Sequence, residues 1–215
     1  MDLANFIEHT ILKADCSLDE IKRICKEANQ FNFPVVCVPP FFVKNAVELL
    51  MNEPTKVATV IGFPMGYSST AAKVEEIKRA VDDGVSELDV VVNICAVKSG
   101  MWNFVRNDID SVVTAAHLKG KTIKIILETG LLTDAEIQQL CEICLEVKPD
   151  FVKTSTGFNG EGATVMIVEK LKTLLQNQIK IKASGGIRTK EDASRLLEAG
   201  AVRIGSSSSV MMMHD

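Results

Sequence analysis

The chain has 215 residues, 47% of them hydrophobic and 24% charged, with a formal net charge of −4. That acidic balance, with no Lys/Arg stripe, argues against a nucleic-acid partner, and no stretch has the length and apolarity of a membrane span. The opening Met-Asp-Leu-Ala-Asn-Phe-Ile-Glu is too acidic and too short in its apolar run for a secretion signal, so a cytoplasmic location is expected.

In chain order the sequence alternates short apolar segments with amphipathic ones. The strand candidates are 8–13, 34–38, 56–63, 86–93, 122–128, 150–154, 179–184 and 202–205. Segment 17–29 carries a helical stripe of Leu18, Ile21, Ile24 and Cys25, and 69–83 one of Val74, Ile77 and Val81. Trp102 and Phe104 open a further helical stretch that also contains His117, and both aromatics read as core. Segment 133–147 places Ile137, Leu140, Cys141 and Cys144 on one stripe, behind a Thr133–Glu136 capping box. In 189–199, Ala193, Leu196 and Leu197 face one way, and Gly84 and Gly200 follow helical runs as C-terminal stops. The Cys141-x-x-Cys144 pair has no second pair and no nearby histidine to complete a zinc site, so it reads as two core thiols.

Strands alternating with helices imply right-handed βαβ units and a parallel sheet. Eight strand candidates point to a single-domain (β/α)8 TIM barrel with a short N-terminal segment, spanning 1–215. A doubly wound open sheet is the alternative, but no G-x-G-x-x-G follows the first strand.

Strands of an all-parallel sheet are covered on both faces and read as apolar runs. Glu87, Asp89, Lys124, Glu128, Lys153 and Lys182 break that rule. Period-2 alternation groups Glu87, Asp89, Val91 and Asn93 on one face, Lys124 with Ile126 and Glu128, Phe151 with Lys153, and Lys180 with Lys182 and Ser184. If these faces point inward, carboxylates and ammoniums from four strands converge near the C-terminal strand ends, where barrel active sites lie. The competing reading is a buried ion-pair network that only fills the barrel. Two lysines sharing a low-dielectric site repel, and a lysine freed of its proton attacks carbonyls to form a Schiff base. A lysine must fall from ~10.4 toward ~7 to do so at working pH, a cost of about 5 kcal/mol.

A phosphate grip follows the same lysines. Gly185 and Gly186 come after the seventh strand, and Gly205 opens Ser206–Ser209 after the eighth, the positions of the phosphate site common in this architecture. Thr154-Ser155-Thr156-Gly157 adds donors beside Lys153. Cys37, on the second strand, faces either the pocket or the core, and Glu8 and Thr10, near the end of the first, are candidate contacts to substrate hydroxyls. His9 and His117 lack metal-ligand spacing.

Lys153-Thr-Ser-Thr-Gly-Phe158, Lys182-Ala-Ser-Gly-Gly-Ile-Arg188, Glu87-Leu-Asp-Val-Val-Val-Asn93 and Arg203-Ile-Gly-Ser-Ser207 resemble the deoxyribose-phosphate aldolase family. Ile7-Glu-His-Thr10, Ile61-Gly-Phe-Pro64 and Lys98-Ser-Gly100 extend the resemblance, in order, from residue 7 to about 208. It implies a class I aldolase on a (β/α)8 barrel, with no metal and no other cofactor. The implied reaction is reversible cleavage of 2-deoxy-D-ribose 5-phosphate into D-glyceraldehyde 3-phosphate and acetaldehyde, in deoxyribonucleoside catabolism. It also implies Lys153 as the Schiff-base nucleophile, Lys182 as the group that depresses its pKa and assists proton transfer, and Asp89 as general acid/base. The phosphate would sit on Gly157, Gly185, Gly186, Gly205, Ser207 and Ser208, and Thr10, Cys37 and Thr156 are, from the residues themselves, the further candidate substrate contacts. The family expectation for assembly is a homodimer. Some members end in a tail with a terminal tyrosine; this chain ends Val210-Met-Met-Met-His-Asp215, and its one tyrosine is Tyr67.

Two other functions compete: a lysine-dependent aldolase acting on a ketose phosphate, and a non-catalytic sugar-phosphate binder. Asp89 in its Glu-x-Asp setting argues against the first, and the presence of both lysines with Asp89 argues against the second.

Overall fold

The computed structural model describes residues 2–214. A 3-10 turn, Leu3–Phe6, capped by the Asp2 side chain, leads into β1 (Ile7–Thr10). There follow α1 (Leu18–Phe31), β2 (Val35–Val38), α2 (Val43–Leu49), β3 (Lys56–Ile61), α3 (Thr70–Asp82) and β4 (Glu87–Val91). The chain continues through α4 (Ile94–Lys98), α5 (Trp102–His117), β5 (Thr122–Ile126), α6 (Asp134–Val147) and β6 (Phe151–Lys153). It ends with α7 (Val165–Leu174), β7 (Lys180–Ser184), α8 (Lys190–Ala199), β8 (Arg203–Ser206) and α9 (Ser209–His214). The strands are all parallel and close in chain order, with β8 pairing back onto β1. This is the expected (β/α)8 barrel.

Local chemistry sets the helix starts. Ser17 and Glu20 form a reciprocal capping box on α1, and Thr133 and Glu136 form the one expected on α6. Ser69, Thr164 and Thr189 cap α3, α7 and α8 by accepting a backbone N–H. Each such cap is worth about 1 kcal/mol. At the other end of α8, Gly200 takes φ 124, which a side chain would resist.

Several sequence-based ranges run past the observed strand ends, for visible reasons. Segment 56–63 stops at Ile61 because Gly62 turns at φ 61 and donates its N–H to Glu76 Oε2 at 2.8 Å. Segment 122–128 stops at Ile126, and Glu128 adopts a left-handed φ of 61. Trp102 packs against the core as expected, whereas Phe104 is exposed. Cys141 and Cys144 are buried, as the stripe predicts, and burial pushes the Cys141 thiol up to about 12.

Two kinds of interior result. Between barrel and helices, residues such as Ile7, Val36, Leu88, Val90, Ile125 and Ile204 join one continuous apolar cluster. Inside the barrel, Val35, Cys37, Ala58 and Val60 of β2 and β3 form a separate small apolar cluster. The inward faces of the remaining strands carry charge: Glu8, Glu87, Asp89, Lys124, Lys153, Lys182 and Arg203. Among the described residues, no helix is long and apolar enough to cross a membrane.

Candidate active site

Parallel register brings the charges together. Asp89 of β4 pairs with Lys124 of β5, and Lys153 of β6 stands beside Lys182 of β7. Asp89 Oδ2 accepts from Lys153 Nζ at 2.8 Å and from Lys182 Nζ at 2.6 Å, while Oδ1 accepts from Lys124 at 2.9 Å. Lys182 also makes a close ion pair with Glu8. Lys124 reaches Glu8 at 3.3 Å and Glu87 at 2.6 Å, and Arg203 Nη1 lies 3.7 Å from Glu8 and 3.6 Å from Glu87. Asp89, Glu8 and Lys124 are 0% exposed. A buried carboxylate of this kind persists as an ion only when cations surround it.

Protonation follows from this geometry. Burial raises the Asp89 pKa, but Lys124, Lys153 and Lys182 together hold it well below the usual carboxylate range. Burial pulls both site lysines down. For Lys182 that pull, helped by the charges of Lys153 and Lys124, wins over Asp89 and Glu8, so its pKa lies below the ordinary lysine value. For Lys153 the attraction of Asp89, with smaller contributions from Cys37 and Glu8, wins, and its pKa lies above that value. The sequence-based expectation had Lys182 depressing Lys153. The Asp89 carboxylate, which accepts from both ammoniums through one oxygen, opposes that depression at Lys153.

A cleft of about 470 Å3 opens above the cluster. Of the three expected catalytic residues, Lys153 lines it; Lys182 and Asp89 lie beneath. Thr10, Gly157, Gly185, Gly186, Gly205 and Ser207 line it as expected. Thr156 lines it too, but its hydroxyl is committed to Glu128 and accepts the Phe158 N–H at 3.0 Å. Cys37 and Ser208 lie outside the lining. Cys37 Sγ sits with the Glu8 and Asp89 carboxylates inside the barrel, and burial pushes its thiol up to about 12. The Ser208 N–H donates to Ser206 Oγ at 3.0 Å. The thiol and carboxylates of Glu8, Cys37 and Asp89 lie within 4.8 Å of one another, a spacing that suits a metal. Both carboxylates there are already engaged by lysine ammoniums.

Glycine is required where the β6–α7 and β7–α8 loops meet. A Cβ on Gly162 would lie 2.1 Å from the Gly185 carbonyl oxygen, and Gly185 itself has φ 90. This contact fixes how the two loops sit against each other at the edge of the cleft.

Period-2 alternation grouped Glu128 with Lys124, but Glu128 does not join the cluster. Its left-handed backbone turns the side chain toward the β6–α7 loop, where it accepts from Thr156 N at 3.0 Å, from the Thr156 hydroxyl and from Asn159 Nδ2 at 3.3 Å. Sequence reasoning left Glu8 as a candidate contact to substrate hydroxyls, whereas it is a central member of the charge cluster. The signal was present, since Glu8 shares the parity of Thr10. Arg203 was read only as part of a motif; its inward position follows from its register with Lys182. His9, given no role, is buried and bonded to Glu27 at 2.8 Å, and His117 pairs with Asp150 at 3.0 Å.

Comparison with known proteins now decides the family. The DeoC/LacD family aldolase model matches residues 2–209. The chain belongs to that aldolase family. The aldolase is 45% identical over 213 residues to the deoxyribose-phosphate aldolase of Staphylococcus carnosus, covering 99% of this chain and 96% of the relative. It is 48% identical over 213 residues to that of Carboxydothermus hydrogenoformans, covering 98% and 93%. Among solved structures, the tetrameric deoxyribose phosphate aldolase of Aeropyrum pernix superposes with a TM-score of 0.92 at 30% identity, covering 99% of this chain and 89% of that one. In this aldolase the last helix, α9, buries Met212, and His214 packs edge-on against Phe31 at 5.6 Å.

Proposed function

We propose that this aldolase reversibly cleaves 2-deoxy-D-ribose 5-phosphate to D-glyceraldehyde 3-phosphate and acetaldehyde, with Lys153 as the Schiff-base nucleophile. The observation that carries the assignment is the Asp89 oxygen shared by Lys153 and Lys182, with Lys153 alone of the three reaching the cleft.

The Asp89 oxygen shared by the two lysines provides a route for proton movement between them. Lys182 is the easier lysine to deprotonate and Lys153 the harder. Once Lys182 has given a proton to water, the Lys153 proton passes to the neutral Lys182 through the shared Asp89 oxygen, which leaves Lys153 neutral without a further change in the total buried charge. Lys153 Nζ attacks C1 of the open-chain sugar, and loss of water gives the iminium. A base takes the proton of the C3 hydroxyl, the C2–C3 bond breaks, and its electrons enter the iminium to form the enamine. C3 becomes the aldehyde of glyceraldehyde 3-phosphate. Protonation of the enamine at C2 and hydrolysis then release acetaldehyde and restore Lys153. Asp89, through an intervening water, and Lys182 are suited to these proton transfers because the protonation states of both are set by the same network.

The phosphate would rest on the backbone at Gly157, Gly185, Gly186 and Gly205, with Ser207 beside it, where glycine permits close approach. Thr10 would contact a substrate hydroxyl. A cytoplasmic homodimer, each chain folding as one domain over 1–215, is the arrangement in which we expect the enzyme to act, and no metal is required by these steps.

The test is intact mass after incubation with acetaldehyde and borohydride, on wild type and on Lys153→Ala. One reduced ethyl adduct on wild type, missing from the variant, supports the assignment. A folded wild type without adduct overturns it.

A further inference from the structure

The charged groups inside the barrel do not balance. On β1 stands Glu8, on β4 Glu87 and Asp89, on β5 Lys124, on β6 Lys153, on β7 Lys182 and on β8 Arg203. The inward residues Ala58 and Val60 of β3 are apolar, and the β2 residue Cys37 has its thiol held up at about 12, hence neutral. Lys56 and Lys180 begin β3 and β7 and are exposed, so water screens their charges even though Lys180 shares the face of Lys182. Four cations therefore face three carboxylates.

Most of this cluster has almost no contact with water. Lys182 is 1% exposed, Lys153 3% and Glu87 3%. An uncompensated charge in such surroundings is costly, and the ordinary relief is loss or gain of a proton. Arginine does not release its proton, whereas a buried lysine does. The surplus therefore falls on the lysines, and the neutral cluster is the one in which one of them lacks a proton. That is also the state from which a Schiff base starts.

We infer that Arg203, near the closed end of the barrel, is a positioning residue that sets the number of protons held by Lys153, Asp89 and Lys182. This rests on the proposed lysine chemistry and deepens it. Arg203 does not touch the cleft. It acts through Glu8 and Glu87, at 3.7 and 3.6 Å, which are also the partners of Lys124 and, for Glu8, of Lys182. The Phe151 ring closes the cluster from beneath, with Arg203 5.8 Å and Lys124 5.9 Å from its centroid, and the exposed Lys180 ammonium, 5.4 Å from the same ring, is screened by solvent. Remove the arginine charge and three cations face three carboxylates, so all three lysines keep their protons to higher pH. Remove the Glu87 charge and the surplus grows, so a lysine releases its proton at lower pH. The two changes act in opposite directions.

The experiment measures the rate of acetaldehyde trapping on Lys153 against pH for wild type, Arg203→Met, Arg203→Lys and Glu87→Gln, with circular dichroism confirming the fold. Arg203→Met should move the midpoint up by about one pH unit, and Glu87→Gln should move it down by about as much. Arg203→Lys, which keeps the charge but can itself release a proton, should place the midpoint between those of wild type and Arg203→Met. If Arg203→Met does not fold, Glu87→Gln decides alone: a downward shift supports the inference, and no shift or an upward one overturns it. Unshifted midpoints in both variants, with wild type forming its adduct, overturn the inference and leave the lysine chemistry standing. No adduct on wild type overturns both.

Discussion

Asp89 and Lys153 stand two strands apart in the barrel, yet the carboxylate accepts from the ammonium at 2.8 Å. Lys124, on the strand between them, takes the other oxygen. Asp89 is thus the group through which the cluster's cations are joined. Asp89→Asn would leave Lys124, Lys153 and Lys182 facing Glu8 and Glu87 alone. Breaking a buried pair from one side costs about 3–5 kcal/mol, which urea unfolding would register. Trapping of acetaldehyde on Lys153 should slow by about 10²- to 10⁴-fold, the range for losing a positioned proton-transfer group.

Glu128 governs a different property. Its carboxylate takes hydrogen bonds from Thr156 and Asn159, the latter also tied to the Pro64 carbonyl at 3.1 Å. Glu128→Gln places an amide where a second acceptor is needed and loosens the loop that carries Gly157 and Phe158. KM for the phosphorylated sugar should rise about tenfold, the equivalent of one or two lost hydrogen bonds. Acetaldehyde makes no demand on that loop, so its trapping on Lys153 should stay within about twofold of wild type. Parallel loss of both would assign Glu128 to general stability instead.

The buried pair outside the site behaves differently. Lys73 donates to Asp108 at 2.7 Å and to the Val91 carbonyl at 2.9 Å, with Thr70 bonded to the other Asp108 oxygen at 2.7 Å. Lys73→Met strands a buried carboxylate and should cost about 3–5 kcal/mol. Adding Asp108→Leu should recover much of that loss. A double-variant cycle in urea checks both, and a double variant as unstable as the single would refute the account.

His9 gives the pH dependence of stability. Burial lowers its pKa, and the Glu27 hydrogen bond only partly restores it. The folded value therefore lies below the unfolded one near 6.5, so the unfolded chain binds more protons in the interval between them. This contribution is fully present above about pH 6.5 and is lost as pH falls through the folded value. His9→Gln should flatten the slope of unfolding free energy across that interval. A slope equal to wild type would show that other groups carry it.

Much of this was readable in advance, and the limits have physical causes. The barrel followed from eight apolar segments separated by capped amphipathic ones. Asp89, Lys124, Lys153 and Lys182 obeyed strict alternation because all four lie within regular strands. Glu128 escaped it because the strand ends two residues earlier, at a positive φ that glutamate does not advertise. Short α2, α4 and α9 hold too few residues to show a helical period. The sharing of one Asp89 oxygen by Lys153 and Lys182 was out of reach, since alternation assigns side chains to a face and not to distances across strands.

The inner wall of the barrel is divided lengthwise, with charge on six strands and Val35, Cys37, Ala58 and Val60 on the other two. The two halves offer different freedom to variation. On the charged side each residue answers to several partners, so single substitutions meet resistance from the whole group. On the β2–β3 side, changes of size and shape are judged by packing alone. New aldehyde preferences would therefore be sought first by reshaping those two strands, leaving the proton chemistry as it is.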